Sequence, residues 1–324
     1  MRTNKLKMLA IIAFLGISFA SCNNDDPQTT TDTSITSIAV SNPNLSVLVQ
    51  ALTRANLAAT LKTTGPFTVF APTNTAFNAF LTANGYVTNG VPDVNLVPVD
   101  ALTEVLKNHV VSGSLQASAL VNNSYIKTLA KGAASTTNTL SMFVSSTTAG
   151  VKLNGISNVI TTTAGTTFNI IASNGVIHTV DKVIGLPTIV THATANSNFS
   201  ILATLLTNQN LIAPLSGTSS SPFTVFAPLN SAFDTATLAL YNGLDTSDKK
   251  TAVLKYHVIT GANVLSNAIP TTPIPTFESG TVTVSGTVIT DEKNRQINIV
   301  LKDVQCANGI IHAVDKVLLP NSVP

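Results

Sequence analysis

The sequence is poor in cysteine, aromatic side chains and charge. It has no tryptophan, only two cysteines (Cys22 and Cys306), 5% aromatic residues and 10% charged residues among its 324 positions. A lipid on Cys22 would leave Cys306 without a partner for an internal disulfide. The scarcity of basic and aromatic side chains argues against a nucleic-acid-binding protein, which needs a basic face or rings that stack on bases. Hydrophobic residues still make up 44%, so the chain can build cores, and its length predicts two domains.

Residues 1–21 have the pattern of a bacterial lipoprotein signal peptide. Three basic residues precede an apolar run over residues 8–20, which is too short to span a membrane. The small residues before Cys22 resemble a lipobox, although Phe19 stands where leucine is more usual. We therefore expect cleavage before Cys22 and lipidation of its side chain. The alternative is ordinary secretory cleavage near Ala20, which would leave a free thiol.

Residues 22–34 are polar and predict a flexible tether. The acidic residues Asp25 and Asp26, close behind the lipidation site, resemble the surface-export signals of Bacteroidetes lipoproteins. This resemblance implies an outer membrane lipoprotein that is exposed on the cell surface. After removal of the signal peptide the chain keeps 14 basic and 15 acidic residues, so its net charge is near zero.

The body of the chain consists of two copies of one sequence unit, because four sequence blocks recur in the same order. The block at residues 66–77 (PFTVFAPTNTAF) recurs 156 residues later at 222–233 (PFTVFAPLNSAF). The other blocks are an apolar stripe at 45–52 and 199–206, a Leu-Lys-x-His-Val block at 106–110 and 254–258, and an Asn-Gly-x-Ile-His-x-Val-Asp-Lys-Val block at 174–183 and 308–317. A repeat this long indicates a duplicated domain and excludes a solenoid.

The first two blocks predict a helix, a strand and a helix cap. The stripe at 45–52 has the i, i+3, i+4, i+7 spacing of an amphipathic helix. Residues 67–71 are β-branched and aromatic, as in a short strand. Asn74 is placed to cap the helix that follows this strand through its side-chain oxygen, and Asn230 is the matching residue of this structural motif in the second unit.

The last block predicts a hairpin in each unit. Asn174 and Asn308 are each followed by glycine, which favours a two-residue turn with positive φ at both positions. The strand that follows alternates, with Val176 and His178 on one face and Ile177 on the other. Because helices come first in each unit and strands dominate later, we predict an α+β fold with antiparallel sheets.

Two of the blocks resemble the signature segments of fasciclin domains, and the block containing His109 or His257 resembles the family's Tyr-His motif between them. The units at 35–186 and 190–320 are thereby identified as tandem fasciclin domains. The resemblance implies, in each, a wedge of antiparallel or mixed β-sheets with several flanking helices. It also implies extracellular adhesion or matrix contacts without catalysis. The linker at about 185–195 is short and permits either a rigid or a hinged pair.

The resemblance places ligand contacts at the Tyr-His region. The second domain keeps the pair as Tyr256 and His257, whereas the first has Asn108 and His109. We take these four residues as candidate ligand-binding residues. The alternative is structural, because each histidine lies between a leucine three residues before it and a valine directly after it.

The remaining histidines are assigned by their neighbours. His178 and His312 share a strand face with apolar side chains, so we predict that they are buried and join core elements through hydrogen bonds. His192 lies in the linker and is expected to be exposed. No two histidines have a metal-ligand spacing such as His-x-x-x-His, so no metal site is predicted.

Enzyme motifs are absent from the sequence. It contains no Gly-x-Ser-x-Gly elbow, no His-Glu-x-x-His, no Cys-x-x-Cys and no glycine-rich phosphate loop. Three glutamates offer no spacing typical of a glycosidase carboxylate pair. We therefore predict a protein without enzymatic activity or cofactor.

The leading hypothesis is a lipid-anchored surface protein that mediates adhesion to cells, matrix or biofilm. Its partner would be an extracellular protein or glycan, bound through exposed loops rather than through charge. Two alternatives stay open: a structural spacer of the cell envelope, and a glycan-binding accessory protein for polysaccharide uptake.

Overall fold

The two repeats fold as successive α+β domains, as predicted. The structure, a computed structural model, describes residues 32–63, 65–160, 169–217 and 219–324. The predicted signal peptide, Cys22 and the tether as far as residue 31 lie outside the described residues. Residues Thr33–Pro324 form one compact unit that contains both repeats. Within the described residues, no helix is both long and apolar enough to cross a membrane.

The first domain places its helices before and between the strands of one large sheet. Its helices are α1 (Ile35–Ser41), α2 (Ser46–Arg54), α3 (Asn74–Ala83) and α4 (Val99–Asn108). Its strands are β1 (Phe67–Pro72), β2 (Val87–Thr88), β3 (Val91–Pro92), β4 (Val110–Ser112), β5 (Ser124–Gly132), β6 (Ser135–Thr147), β7 (Gly150–Leu153), β8 (Ser157–Asn158), β9 (Ile170–Ala172) and β10 (Gly175–Val180). The strand pair β2–β3 stands apart, and the sheet has the order β8-β7-β6-β5-β4-β1-β10-β9.

The second domain also places its helices before and between the strands of one sheet. Its helices are α5 (Ile189–Ala195), α6 (Ser200–Asn208), α7 (Ile212–Ser216), α8 (Thr235–Gly243) and α9 (Ser247–Tyr256). Its strands are β11 (Phe223–Pro228), β12 (Val258–Thr260), β13 (Ile274–Pro275), β14 (Thr281–Ser285), β15 (Val288–Thr290), β16 (Gln296–Cys306) and β17 (Gly309–Val314). They form a sheet in the order β12-β11-β17-β16-β15-β14-β13.

The repeated Phe-Thr-Val-Phe-Ala-Pro segment forms the parallel centre of each sheet. Strand β1 runs parallel to β10 and antiparallel to β4, and β11 has the equivalent neighbours β17 and β12. Both faces of β1 are covered, because Val69 packs in a cluster with Phe77 of α3 while Phe70 packs in another with Val180. A strand that is buried on both faces needs an almost continuous apolar run, which explains this segment.

Asn74 caps a helix, but not the one that follows it. Thr73 caps α3, because its hydroxyl accepts from a backbone N–H three residues later. The Asn74 Oδ1 accepts from Val47 N in the first turn of α2 at 3.0 Å, and its Nδ2 donates to Pro43 O at 2.8 Å. The prediction that Asn74 caps α3 is therefore wrong. The residue instead joins two helices that are far apart in sequence.

Asn230 does the same in the second domain. Its Oδ1 accepts from Ile201 N in the first turn of α6 at 3.0 Å, and its Nδ2 donates to Ser197 O at 2.8 Å. Helix α8 is capped by Asp234 instead. In both domains, tertiary packing brings another helix terminus, with its unpaired N–H groups, within reach of the asparagine.

The predicted hairpins form, but their turns do not have the predicted conformation. Strands β9 and β10 pair antiparallel, as do β16 and β17. Gly175 has a positive φ of 153°, as predicted, but Asn174, Asn308 and Gly309 do not, so the prediction of positive φ at both turn positions is wrong. Glycine is needed because the parallel neighbour lies too close for a side chain: a Cβ on Gly175 would overlap the carbonyl oxygen of Phe67.

The turn asparagines hold the point where the chain enters each domain. The Asn174 Oδ1 accepts from Ile35 N at 2.9 Å, at the start of α1. The Asn308 Oδ1 accepts from Ile189 N at 3.0 Å, at the start of α5. Each Asn-Gly pair therefore joins the first helix of a domain to its last hairpin.

Candidate functional site

His109 is buried, and its ring joins the end of α4 to the segment that leaves the first domain. We call this pair of hydrogen bonds a clamp. Its Nδ1 lies 2.8 Å from Val105 O, and its Nε2 lies 2.9 Å from Ile184 N. A carbonyl oxygen can only accept and a backbone N–H can only donate. The ring is therefore neutral, with its proton on Nδ1.

His257 makes the same two bonds in the second domain. Its Nδ1 donates to Val253 O at 2.7 Å, and its Nε2 accepts from Leu318 N at 2.9 Å. Burial lowers the pKa of His109 and of His257 to about 4, because a charged imidazole would lose its hydration. A second proton on Nε2 would also face an N–H group, so protonation breaks the clamp.

These two clamps predict that acid destabilises the protein. We expect the midpoint of thermal unfolding to fall as the pH is lowered from about 6.5 to about 4. In this interval the unfolded chain binds a proton on each imidazole and the folded protein does not, so stability is complete above pH 6.5 and is lost on acidification. Calorimetry at constant ionic strength measures the slope. The double variant His109→Gln/His257→Gln should show a weaker dependence on pH, and an unchanged slope would contradict the assignment.

The residue before each clamp is also buried and fully hydrogen-bonded. The Asn108 Nδ2 donates to Ile184 O at 3.2 Å and to Gly185 O at 3.0 Å, while its Oδ1 accepts from the Thr128 hydroxyl. Asn108 and His109 therefore both bind the segment at residues 184–185, through which the chain leaves the first domain.

Tyr256 occupies the equivalent position with different partners. Its hydroxyl donates to Thr281 O at 2.7 Å and accepts from Glu292 N at 3.0 Å, which joins α9 to β14 and to the turn before β16. Burial, together with nearby carboxylates, raises the pKa of Tyr256 above its usual value. The tyrosine is thus a neutral structural residue. Its side chain is longer than that of Asn108 at the equivalent position of the first domain, so it bonds to elements further away.

The ligand-contact hypothesis for Asn108, His109, Tyr256 and His257 stays a prediction. All four side chains are at most 3% exposed, and their polar atoms hold backbone or side-chain groups of their own domain. Burial favours the structural alternative, because a ligand reaches such atoms only if the domain opens.

His178 and His312 are buried beside the central strands. The His178 Nε2 donates to Leu115 O at 2.8 Å, and its ring stacks on Phe70 with centroids 5.5 Å apart. The His312 Nε2 donates to Val264 O at 2.9 Å. Both rings join the last strand of a domain to the loop after β4 or β12, as expected of core residues.

The prediction that His192 is exposed is wrong. The linker residues 189–195 form α5, which buries His192 completely. This burial lowers its pKa to about 3. Cys306 is also fully buried, which raises its thiol pKa well above the usual value. The part of the chain that the structure describes holds no group of three His, Cys, Asp or Glu placed to bind a metal.

The two domains meet at a hydrogen-bonded junction, which sequence reasoning missed. Tyr125 of β5 packs edge-on against His192, with ring centroids 5.3 Å apart, and its hydroxyl accepts from Asn196 Nδ2 at 3.1 Å. The Lys127 Nζ donates to Asp303 O at 3.0 Å. These contacts favour the rigid alternative for the linker. Local patterns carry no signal for them, because the partners lie about 70 or more residues apart.

Comparison with known proteins shows which family the two repeats resemble. The model of the fasciclin domain matches residues 43–187 and 197–320. An uncharacterised protein of Synechocystis sp. is 31% identical over 135 residues, which cover 41% of this chain and 98% of that protein. Human periostin is 26% identical over 265 residues, which cover 80% of this chain but only 29% of periostin.

A solved domain pair from the insect cell adhesion molecule fasciclin I covers 86% of this chain and 98% of that one. Its TM-score is 0.49 and its sequence identity 19%. The family assignment depends on the domain model, which matches both repeats and spans more than half of the chain. The chain therefore belongs to the fasciclin-domain family, with one such domain in each repeat.

Proposed function

We propose that this protein is a non-catalytic, lipid-anchored cell-surface protein that mediates adhesion to cells, matrix or biofilm. The observation that carries the proposal is the match of the fasciclin-domain model to both repeats. A family resemblance of this kind implies extracellular adhesion. The chain would bind an extracellular protein or glycan through its surface.

The placement of reactive side chains supports a binding role. Four imidazoles, those of His109, His178, His257 and His312, each hold main-chain groups inside a domain. The Cys306 thiol is buried with a raised pKa, which makes it a poor nucleophile. The buried imidazoles and the thiol therefore have structural roles, so we propose that the exposed surface binds the partner.

The proposed anchor is a lipid on Cys22 that holds the protein at the outer membrane, with both domains facing outward. The tether would lead into Ser34, whose hydroxyl caps α1. Two or more acyl chains are needed for stable attachment, which a lipoprotein cysteine would supply.

Metabolic labelling with an alkyne fatty acid tests the anchor in the host bacterium. We expect the intact protein to be labelled, Cys22→Ala to lose at least about nine-tenths of the label, and Cys306→Ala, the matched cysteine control, to keep it. Protease shaving of intact cells should remove the wild-type protein. Deletion of the gene should then lower attachment, and only the intact gene should restore it. Attachment that is unchanged in the deletion strain, with the protein displayed, would contradict adhesion.

The junction favours a spacer as the second candidate. A hydrogen-bonded domain pair keeps a fixed length, which suits a protein that holds other envelope components away from the membrane. A spacer predicts normal attachment in the deletion strain, so the same experiment separates the two. The glycan-binding accessory alternative would appear as binding of the intact protein on a glycan array.

A further inference from the structure

Each domain has an equivalent surface just before the turn of its last hairpin, at residues 171–173 in the first domain and 305–307 in the second. In the second domain this surface is covered. The hairpin between β5 and β6 of the first domain lies on it. Ala134 N donates to Ala307 O at 2.9 Å. A Cβ on Gly132 would overlap the Ala307 main chain, so the tip of the covering hairpin must be small. Next to it, Ser141 Oγ accepts from Gln305 N at 3.0 Å.

The equivalent backbone is present in the first domain. By the offset of the last sequence block, Ser173 corresponds to Ala307 and Ile171 to Gln305. Ser173 N donates to Thr33 O at 3.0 Å, as Ala307 N donates to Pro187 O at 2.7 Å. The main chain at Ser173 is thus held as it is at Ala307.

In the first domain, the residues that the structure describes leave this surface open. Ile171 is 61% exposed, whereas Gln305 is 1% exposed under the covering hairpin. Strand β9, which carries Ile171, is the edge of its sheet. A cleft of about 380 Å³ lies beside it, lined by residues that include Pro66, Ser114 and Gln116. An exposed edge with an apolar side chain is a template for another strand or hairpin.

The chain cannot cover this surface in a second copy by repeating its own junction. The β5–β6 hairpin of each copy already lies on its own second domain. The corresponding hairpin of the second domain, β13–β14, is short, and Thr276 N closes its turn by donating to Gly280 O at 2.8 Å. Neither hairpin of a second copy is therefore available for an equivalent contact, which leaves this surface free for a hairpin of a different protein.

We propose that the open edge, formed by Ile171, Ser173 and Gln116, binds a β-hairpin of a neighbouring envelope protein. The hairpin has a small residue at its tip, donates a backbone N–H to Ser173 O and packs an apolar side chain on Ile171. This inference deepens the proposed function and rests on its lipid anchor. Ten residues lie between Cys22 and Thr33, so a lipid on Cys22 would hold Thr33, which accepts a hydrogen bond from Ser173 N, within about 40 Å of the membrane.

Photo-crosslinking in intact cells tests the proposal with the full-length protein. A benzoylphenylalanine at Gln116 is the probe, and one at Val300, an exposed position of the second domain, is the control. We expect a product at Gln116 whose crosslinked peptide, by mass spectrometry, lies in a β-hairpin of an envelope protein. Adding Ile171→Asp should lower its yield at least ten-fold, whereas Val300→Asp should leave it unchanged. Thermal melting shows whether either variant is folded.

Other outcomes overturn the proposal. A product of twice the mass would show a second copy of this chain. A lipid or glycan adduct, or equal products at Gln116 and Val300, would show that no protein hairpin binds there. Fatty-acid labelling in the same cells separates this failure from that of the anchor, because the crosslink and the label are read independently.

Discussion

Gly175→Ala should lower the unfolding temperature of the first domain by more than about 5 °C. A Cβ at this position would overlap the carbonyl oxygen of Phe67, a main-chain atom that cannot rotate away. The parallel pair β1–β10 must then bend apart at the centre of the sheet, and we expect this strain to cost about 2–4 kcal/mol. Differential scanning calorimetry of the whole chain measures the effect.

Gly185→Ala is the matched control for this prediction. A Cβ on Gly185 meets nothing within 4 Å, so the variant should unfold within about 0.5 kcal/mol of the unchanged protein. Gly309→Ala should repeat the large effect in the second domain, since its Cβ would overlap the Phe223 carbonyl oxygen. A normal melting curve for Gly175→Ala would show that the strands can separate without cost.

His257→Ala should destabilise the second domain by about 3 kcal/mol or more. The substitution removes a buried ring and leaves both Val253 O and Leu318 N without their partner. An unpaired buried polar group costs about 1–3 kcal/mol, and the cavity adds to this. Thermal unfolding followed by circular dichroism should show a midpoint several degrees lower.

Lys250→Ala, on the same helix and partly exposed, controls for substitution in α9. It should leave the melting curve almost unchanged. If His257→Ala instead keeps the normal melting curve and loses attachment to its ligand, His257 is a contact residue and the structural role is wrong. Binding assays on variants of the Tyr-His region therefore need a melting curve beside them.

The architecture was predictable because it is repeated and local. Four blocks in the same order predicted the duplication, and the stripe of α2 and the apolar run of β1 have periods that follow from helix and strand geometry. The burial of His178 and His312 followed from their apolar neighbours on the strand face. Apart from the duplication, each of these signals lies within a few residues.

The errors share one cause, which is a partner that is distant in sequence. Asn74 had the right residue type for a cap, but the helix it caps is 27 residues upstream. The turn signal predicted the positive φ of Gly175, but it did not reveal that Phe67 on a parallel strand also leaves no room for a side chain there. His192 was placed in a solvated linker, although Tyr125 of the other domain covers it.

The amino-acid sequence by itself therefore determined the two-domain α+β architecture, the family and the repeated blocks whose histidines and asparagines hold each domain. Only the tertiary structure decided what those residues do. It made His109 and His257 neutral clamps, moved the asparagine caps to other helices, joined the domains and left Ile171 uncovered. The physical reason is that the periodic pattern of apolar residues that predicts a helix or strand involves only a few neighbouring residues. Hydrogen bonds, burial and close approach instead depend on which distant groups the fold brings together.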